Sequence, residues 1–142
     1  MKVTASITKE FDVAAIRVMA EVRYWEDGTV NGVKDTDGTL IPLRNGECWE
    51  PVIELDTGRV RDWPEGATAD VHYKVCDAGE YYLLDSDGRI VAEKHGYVPD
   101  MLSVGENGYG DYIILKIGPD GLIEGWEPPI IDPELWSWEP QE

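Results

Sequence analysis

Hydrophobic and polar residues alternate with a period of two along much of this chain. Between Ala14 and Trp25 one set of alternating positions is aliphatic except for a tyrosine at its end, while the other set includes the charged residues Arg17, Glu21 and Arg23. This pattern is typical of a β-strand with one buried face, because successive side chains of a strand point to opposite sides. The alternative is a helix over residues 12–22, since several apolar residues there also recur at helical spacing.

Eight further segments are predicted to be strands, and turn residues separate them. The strand segments are 3–8, 39–43, 51–55, 69–76, 80–85, 89–93, 112–117 and 122–126. Asp and Gly mark turns at 27–28, 37–38, 56–58, 77–79, 87–88 and 120–121. Asp bonds to the backbone that follows it and Gly accepts a positive φ, so residues 70–93 should form a three-stranded meander with turns at 77–79 and 86–88. The sequence predicts an all-β, mainly antiparallel fold, either a sandwich or a rolled barrel-like sheet.

The last sixteen residues differ from the rest of the chain. Residues 127–142 contain four prolines, two tryptophans and five acidic residues, with no basic residue. Because proline removes the donors that a sheet needs, we divide the chain into a β-rich domain (1–126) and an extended acidic C-terminal tail (127–142). Trp136 and Trp138 either stay exposed for a partner or fold back over an open face of the sheet, and a homodimer that exchanges tails satisfies both interpretations.

The charge of the chain is strongly negative and unevenly distributed. Asp and Glu number 29 against 12 Lys and Arg, which gives a net charge of −17. Residues 95–142 carry ten acidic residues and only one basic residue, Lys116, whereas residues 1–94 carry nineteen acidic and eleven basic residues. Such a field repels nucleic acids and anionic membranes, so we expect neither as a direct partner. It favours association with a basic protein surface.

The cysteines and histidines are the candidates for metal or thiol chemistry. His72 and Cys76 share one strand face, and Cys48 and His95 could complete a set of zinc ligands. No Cys-x-x-Cys or His-x-x-x-His spacing occurs, however, and a cysteine usually behaves as a small hydrophobic residue. We therefore predict no metal, no cofactor and no catalytic residue. Two cysteines and an N-terminus without an apolar segment predict a cytoplasmic protein with reduced thiols.

Four short segments carry a resemblance to other sequences. They are WEPVIELDTGRV (49–60), WPEG (63–66), HYKVCDAG (72–79) and GYGDYII (108–114). Together they resemble small acidic proteins of phage and bacterial origin, a group without a known activity, over residues 15–126. The resemblance implies a phage setting, where small acidic proteins often inhibit basic, nucleic-acid-binding host proteins. It implies no catalytic residue.

These observations predict a non-catalytic acidic binding protein. As a phage-type inhibitor it would mimic nucleic-acid phosphates and occupy a basic surface of a nucleic-acid-binding or defence protein. The predicted contact residues are Glu124, Glu127, Asp132, Glu134, Trp136, Trp138 and Glu139. The alternatives are acidity that serves solubility alone, a phage structural or assembly component, and a small metal- or ligand-binding protein that uses His72 and Cys76.

Overall fold

The computed structural model describes residues 1–6, 9–23, 48–63, 71–96, 98, 101 and 112–138. These residues form eight β-strands and one turn of 3-10 helix. The strands are β1 (Lys2–Ser6), β2 (Lys9–Asp12), β3 (Ala15–Arg23), β4 (Cys48–Trp49), β5 (Val52–Glu54), β6 (Val71–Leu84), β7 (Ile90–His95) and β8 (Tyr112–Ile117), and the 3-10 turn is Pro133–Leu135. All pairings between these strands are antiparallel. The predicted all-β, antiparallel fold class is confirmed.

The larger sheet is built around the long pair of strands β3 and β6. One edge of β3 pairs with β6, and its other edge pairs with β5 and then with β4. The other edge of β6 is shared by β7 and β8, which pair with different ends of the strand. Strands β1 and β2 form a separate two-stranded sheet. The larger sheet therefore has two long central strands with two short strands along each side.

The alternation in β3 produces the buried face that its sequence predicts. Ile16 and Val18 are fully buried and Ala20 is 1% exposed, whereas Arg17 and Glu21 on the opposite face are partly exposed. The strand interpretation of this segment is confirmed, and the helical alternative is wrong. A pleated strand between two neighbours gives each branched side chain on the inner face a partner on both sides.

The hydrophobic core lies between the inner face of the larger sheet and a second layer. The inner face supplies residues such as Ile53 and Leu83, which are fully buried. The second layer includes Val3 and Phe11 from the β1–β2 sheet and Trp136 from the C-terminal segment, and all belong to the same buried cluster. The C-terminal segment thus contributes Trp136 to the core.

The turn signals at 56–58, 87–88 and 120–121 are confirmed as turns, but the one at 77–79 is wrong. Strand β6 continues through residues 77–79, where the register against β3 shifts: Val18 faces Tyr81 while Ala20 faces Asp77. The Asp77 carboxylate accepts a hydrogen bond from Gly79 N–H at 2.7 Å, and Gly79 has φ of 76°. The predicted turn chemistry is present, but it makes a β-bulge within one strand.

Two other predictions about strands need correction. Residues 122 and 123 make only isolated bridges, to Arg59 and Ile117, and the chain turns at residues 124–125. Gly125 has φ of 74°, which ends the predicted strand 122–126. Strands β2 and β4 were not predicted. The predicted strand 39–43 and the predicted turns 27–28 and 37–38 lie outside the described residues.

Candidate functional site

The predicted contact residues lie in two environments. Four acidic residues of the C-terminal region are exposed: Glu124, Glu127, Asp132 and Glu134. We call these four the acidic surface, and residues 127–138 the C-terminal arm. Trp136 is only 6% exposed and Trp138 is half-buried, so the two tryptophans are packed against the domain. Glu139 lies outside the described residues.

The arm is attached to the domain by backbone pairing. Ser137 of the arm and Glu93 of β7 exchange two backbone hydrogen bonds, Glu93 N–H to Ser137 O at 3.1 Å and Ser137 N–H to Glu93 O at 2.9 Å. Side chains around this pair alternate as in a strand, because Trp136 and Trp138 turn inward while Ser137 is exposed. The arm thereby covers part of the edge of β7, which would otherwise present unpaired backbone groups.

The two tryptophans hold the arm from its inner side. The ring centroid of Trp136 lies 6.4 Å from that of Tyr81, which is fully buried. The ring centroid of Trp138 lies 4.9 Å from that of Phe11, and its indole N–H donates to the carbonyl of Pro133 at 3.0 Å. The described residues thus show the tryptophans folded back on the domain. In this arrangement the acidic side chains, and not the indole rings, face solvent.

A capped helical turn fixes the backbone that carries two of the acids. The Asp132 carboxylate accepts a hydrogen bond from Glu134 N–H at 3.0 Å, and Pro133 follows at the first helical position. Asp at an N-cap and Pro directly after it are the residues that favour the start of a helix. Asp132 and Glu134 therefore project from a backbone that is already ordered.

Several carboxylates of the described residues lie beside a basic side chain. Glu54 pairs with Arg59 at 3.8 Å, and His95 lies 3.4 Å from Glu80 and 3.6 Å from Glu93. In residues 112–138, by contrast, Glu124, Asp132 and Glu134 form no ion pair with any other described residue. Lys116 accepts a backbone hydrogen bond from Glu124 N–H at 2.8 Å, but the two side chains form no salt bridge. Within the part of the chain that the structure describes, no basic side chain balances the charge of these three acids.

The strand register separates the backbone positions of the four candidate metal ligands. Cys48 and Cys76 both lie in register with Glu21, on opposite sides of β3. Two strand spacings place their Cα atoms about 10 Å apart, too far for a disulfide or a shared metal ion. His95 pairs with Glu80 beyond the bulge, and His72 lies in register with Lys116. Within the described residues no group of three Cys, His, Asp or Glu is placed to hold a metal.

The outer face of the larger sheet carries an unusual cation. The Arg17 guanidinium lies 4.5 Å from the centre of the Tyr82 ring, and His95 meets the same ring edge-on at 6.1 Å. The Arg17 Nε is buried and has no hydrogen-bond partner among the described residues. Stacking on an aromatic ring partly replaces the lost hydration of a guanidinium. This face is mixed in charge and therefore differs from the acidic surface.

The β-bulge in β6 holds a polar group that sequence analysis missed. Tyr81 donates its hydroxyl hydrogen to the Asp77 carboxylate at 2.6 Å and accepts a hydrogen bond from Val98 N–H at 3.1 Å. Burial raises the pKa of the Asp77 carboxyl above its ordinary value of 3.8, and the hydrogen bonds from Tyr81 and Gly79 only partly oppose this shift. The bulge thus connects β6 to the segment that follows β7. The only sequence signal was the Asp-x-Gly triplet, which also fits a hairpin.

The raised pKa of Asp77 predicts an unusual pH dependence. Because the folded state binds this proton more tightly than the unfolded state, the contribution of Asp77 to stability is complete below about pH 3.8 and falls as pH rises through the folded pKa. Asp77→Asn, which carries no charge at any pH, should therefore gain stability relative to the wild type as pH rises over this range. Urea unfolding of both proteins at several pH values measures the difference. A difference that stays constant with pH would contradict the assignment.

The described part of the chain contains no helix with the length and hydrophobicity needed to cross a membrane.

Comparison of the chain with protein-family models, with curated proteins and with solved structures found no match. The residues of the chain itself are therefore the basis for a functional proposal, and the exposed acidic surface on an ordered arm is the feature that carries it.

Proposed function

We propose that this chain is a non-catalytic binding protein whose acidic surface occupies a basic surface of a nucleic-acid-binding or defence protein. In this role the carboxylates take the place of nucleic-acid phosphates. The observation that carries the proposal is the exposure of Glu124, Asp132 and Glu134 without an ion pair among the described residues. A phage-type inhibitor is the biological setting that fits this chemistry.

The ordered backbone of the arm supports the proposal on energetic grounds. Backbone pairing at Ser137 and the buried ring of Trp136 hold the arm before any partner arrives. A charged segment that is already ordered loses less conformational entropy on binding than a flexible tail. Ordered carboxylates therefore compete more effectively with phosphates for the same lysines and arginines.

The net charge supports the proposal on kinetic grounds. A protein with a net charge of −17 attracts a basic partner over long distances, and this attraction weakens as salt screens it. The affinity of the chain for a basic protein should accordingly be higher at low salt than at physiological salt. The same field keeps the chain itself away from DNA.

Neutralising the acidic surface should weaken this competition about tenfold or more. The variant combines Glu124→Gln, Glu127→Gln, Asp132→Asn and Glu134→Gln, and Asn at position 132 preserves the N-cap. Binding is measured as displacement of a fluorescent DNA duplex from a purified HU-type basic protein, at salt concentrations of about 50 and 200 mM. The loss of affinity should be larger at the lower salt concentration, because the removed charge contacts are screened less there.

A matched variant separates the acidic surface from net charge alone. It neutralises four exposed acids outside residues 112–138 and changes the net charge by the same four units, from −17 to −13; the residues are Glu10, Glu50, Asp62 and Asp87. This control variant should lose less than about threefold in its ability to displace DNA. Such a small loss is expected if only the long-range attraction of the net charge is reduced. Equal losses in the two variants, or no displacement of DNA by the wild type, would refute the proposal.

A further inference from the structure

The C-terminal region exposes large apolar side chains beside its acids. Of the four large hydrophobic residues that are well exposed in the described part of the chain, two, Ile130 and Leu135, lie on the arm. Leu122 is 40% exposed, Leu135 is 50% exposed and Ile130 is 92% exposed. Scattered apolar residues on a surface need no explanation, but Ile130 is almost fully exposed and has exposed acids on both sides of it in the sequence.

The arm holds Ile130 away from the domain. Pro129 before it is buried, and Ile131 after it packs against the core. Ile130 lies between these two residues and is 92% exposed, so its side chain points away from the domain. An outward position in a strand normally carries a polar residue, as Asp132 does two residues later. A branched aliphatic side chain at such a position gains nothing from the fold of its own chain.

The surroundings of Ile130 define the chemistry of what it would contact. Glu127, Asp132 and Glu134 lie within four residues and are exposed. Their charge repels DNA, RNA and anionic lipid, so an apolar wedge between bases or a membrane anchor is disfavoured. A protein with an apolar pocket bordered by lysines or arginines satisfies both the side chain and the acids. Apolar anchors within a charged rim are the usual form of a protein–protein interface.

We propose that Ile130 is the apolar anchor of the acidic surface and inserts into a pocket of a basic protein partner. The inference rests on the proposed function and adds the source of its specificity. Carboxylates alone would bind any basic surface with similar affinity. An isoleucine on an ordered backbone would favour those basic surfaces that also offer an apolar pocket, and that part of the affinity would persist at high salt.

Two labelled peptides that carry the same number of lysines test this inference. One is an oligolysine and the other is an amphipathic peptide of lysine and leucine, and binding to the full chain is followed by fluorescence anisotropy. The wild type should bind the lysine–leucine peptide about tenfold or more tightly than the oligolysine. Ile130→Ser should remove this preference and leave oligolysine binding unchanged. The melting temperature should not change, since the side chain is 92% exposed.

Controls distinguish failure of the anchor from failure of the acidic surface. Leu122→Ser removes an apolar side chain that is 40% exposed and lies before the arm, and it should leave the preference intact. The fourfold neutralised variant should lose affinity for both peptides. If the wild type shows no preference, or if Ile130→Ser and Leu122→Ser act alike, the anchor is refuted. If neutralising the acids has no effect on either peptide, the proposed function itself fails.

Discussion

Replacing Trp136 with Ala is expected to lower the free energy of unfolding by about 3–5 kcal/mol, the range for a large aromatic residue removed from a core. The indole is 6% exposed and packs against the buried ring of Tyr81. Its loss would leave a cavity between the inner face of the sheet and the arm, and the neighbouring pairing of Ser137 with Glu93 would lose support. Urea unfolding followed by circular dichroism measures the change.

Two neighbouring substitutions show whether this effect belongs to the buried ring. Ser137→Ala changes an exposed side chain but keeps the backbone bonds to Glu93, and it should shift stability by less than about 0.5 kcal/mol. Trp138→Ala removes a half-buried ring from Phe11 and should fall between the two. If Trp136→Ala cost no more than Ser137→Ala, the arm would not be part of the core.

The central strand could be predicted because local sequence determines it. In β3 the aliphatic residues occupy every second position, and no other arrangement buries Ile16 and Val18 while Arg17 reaches the opposite face. Strand β8 was predicted over the same residues that it occupies, 112–117. A strongly alternating segment can be predicted as a strand without knowing which strands it pairs with, because burial of one face is favourable in any antiparallel sheet. Strand β4, with only two residues, carries no such signal.

The bulge in β6 could not be distinguished from a hairpin on local grounds. Asp77 and Gly79 form the same hydrogen bond in either structure, and both structures use the positive φ of Gly79. The direction of the chain after residue 79 depends on pairing with β3, which is more than fifty residues away in sequence. This long-range pairing decides whether the chain forms a bulge or a hairpin. It cannot be predicted from a short stretch of sequence.

The sequence predicts the exposure of the acidic surface, but it does not decide whether the tryptophans are buried. Charged residues are seldom buried, so the exposure of Glu124 and Asp132 followed from their chemistry. The burial of Trp136 depends on an opening beside Tyr81 that only the folded sheet creates. The outward position of Ile130 could not be predicted, because residue 131 is also isoleucine and the sequence alone does not say which of the two packs against the core.

Gly58→Ala is expected to cost about 2–5 kcal/mol of stability, for two separate reasons. Gly58 has φ of 74°, a left-handed conformation that costs an alanine about 1–2 kcal/mol. A Cβ at this position would also lie 2.3 Å from Cγ of Trp126, so the indole ring would have to move. The ring is held in place, because its N–H donates to the carbonyl of Leu55 at 3.0 Å. Overpacking against a fixed ring adds about 1–3 kcal/mol.

Gly125→Ala provides a control with the same backbone conformation and no steric clash. Gly125 also has φ of 74°, but no atom lies within 4 Å of the position that its Cβ would take. The two variants therefore share the conformational cost, and the difference between their unfolding free energies isolates the contact between Gly58 and Trp126. We expect Gly58→Ala to be the less stable by at least about 1 kcal/mol. Equal stabilities in urea unfolding would mean that Trp126 does not pack on the turn at residues 55–58, and that the C-terminal region begins its path across the domain elsewhere.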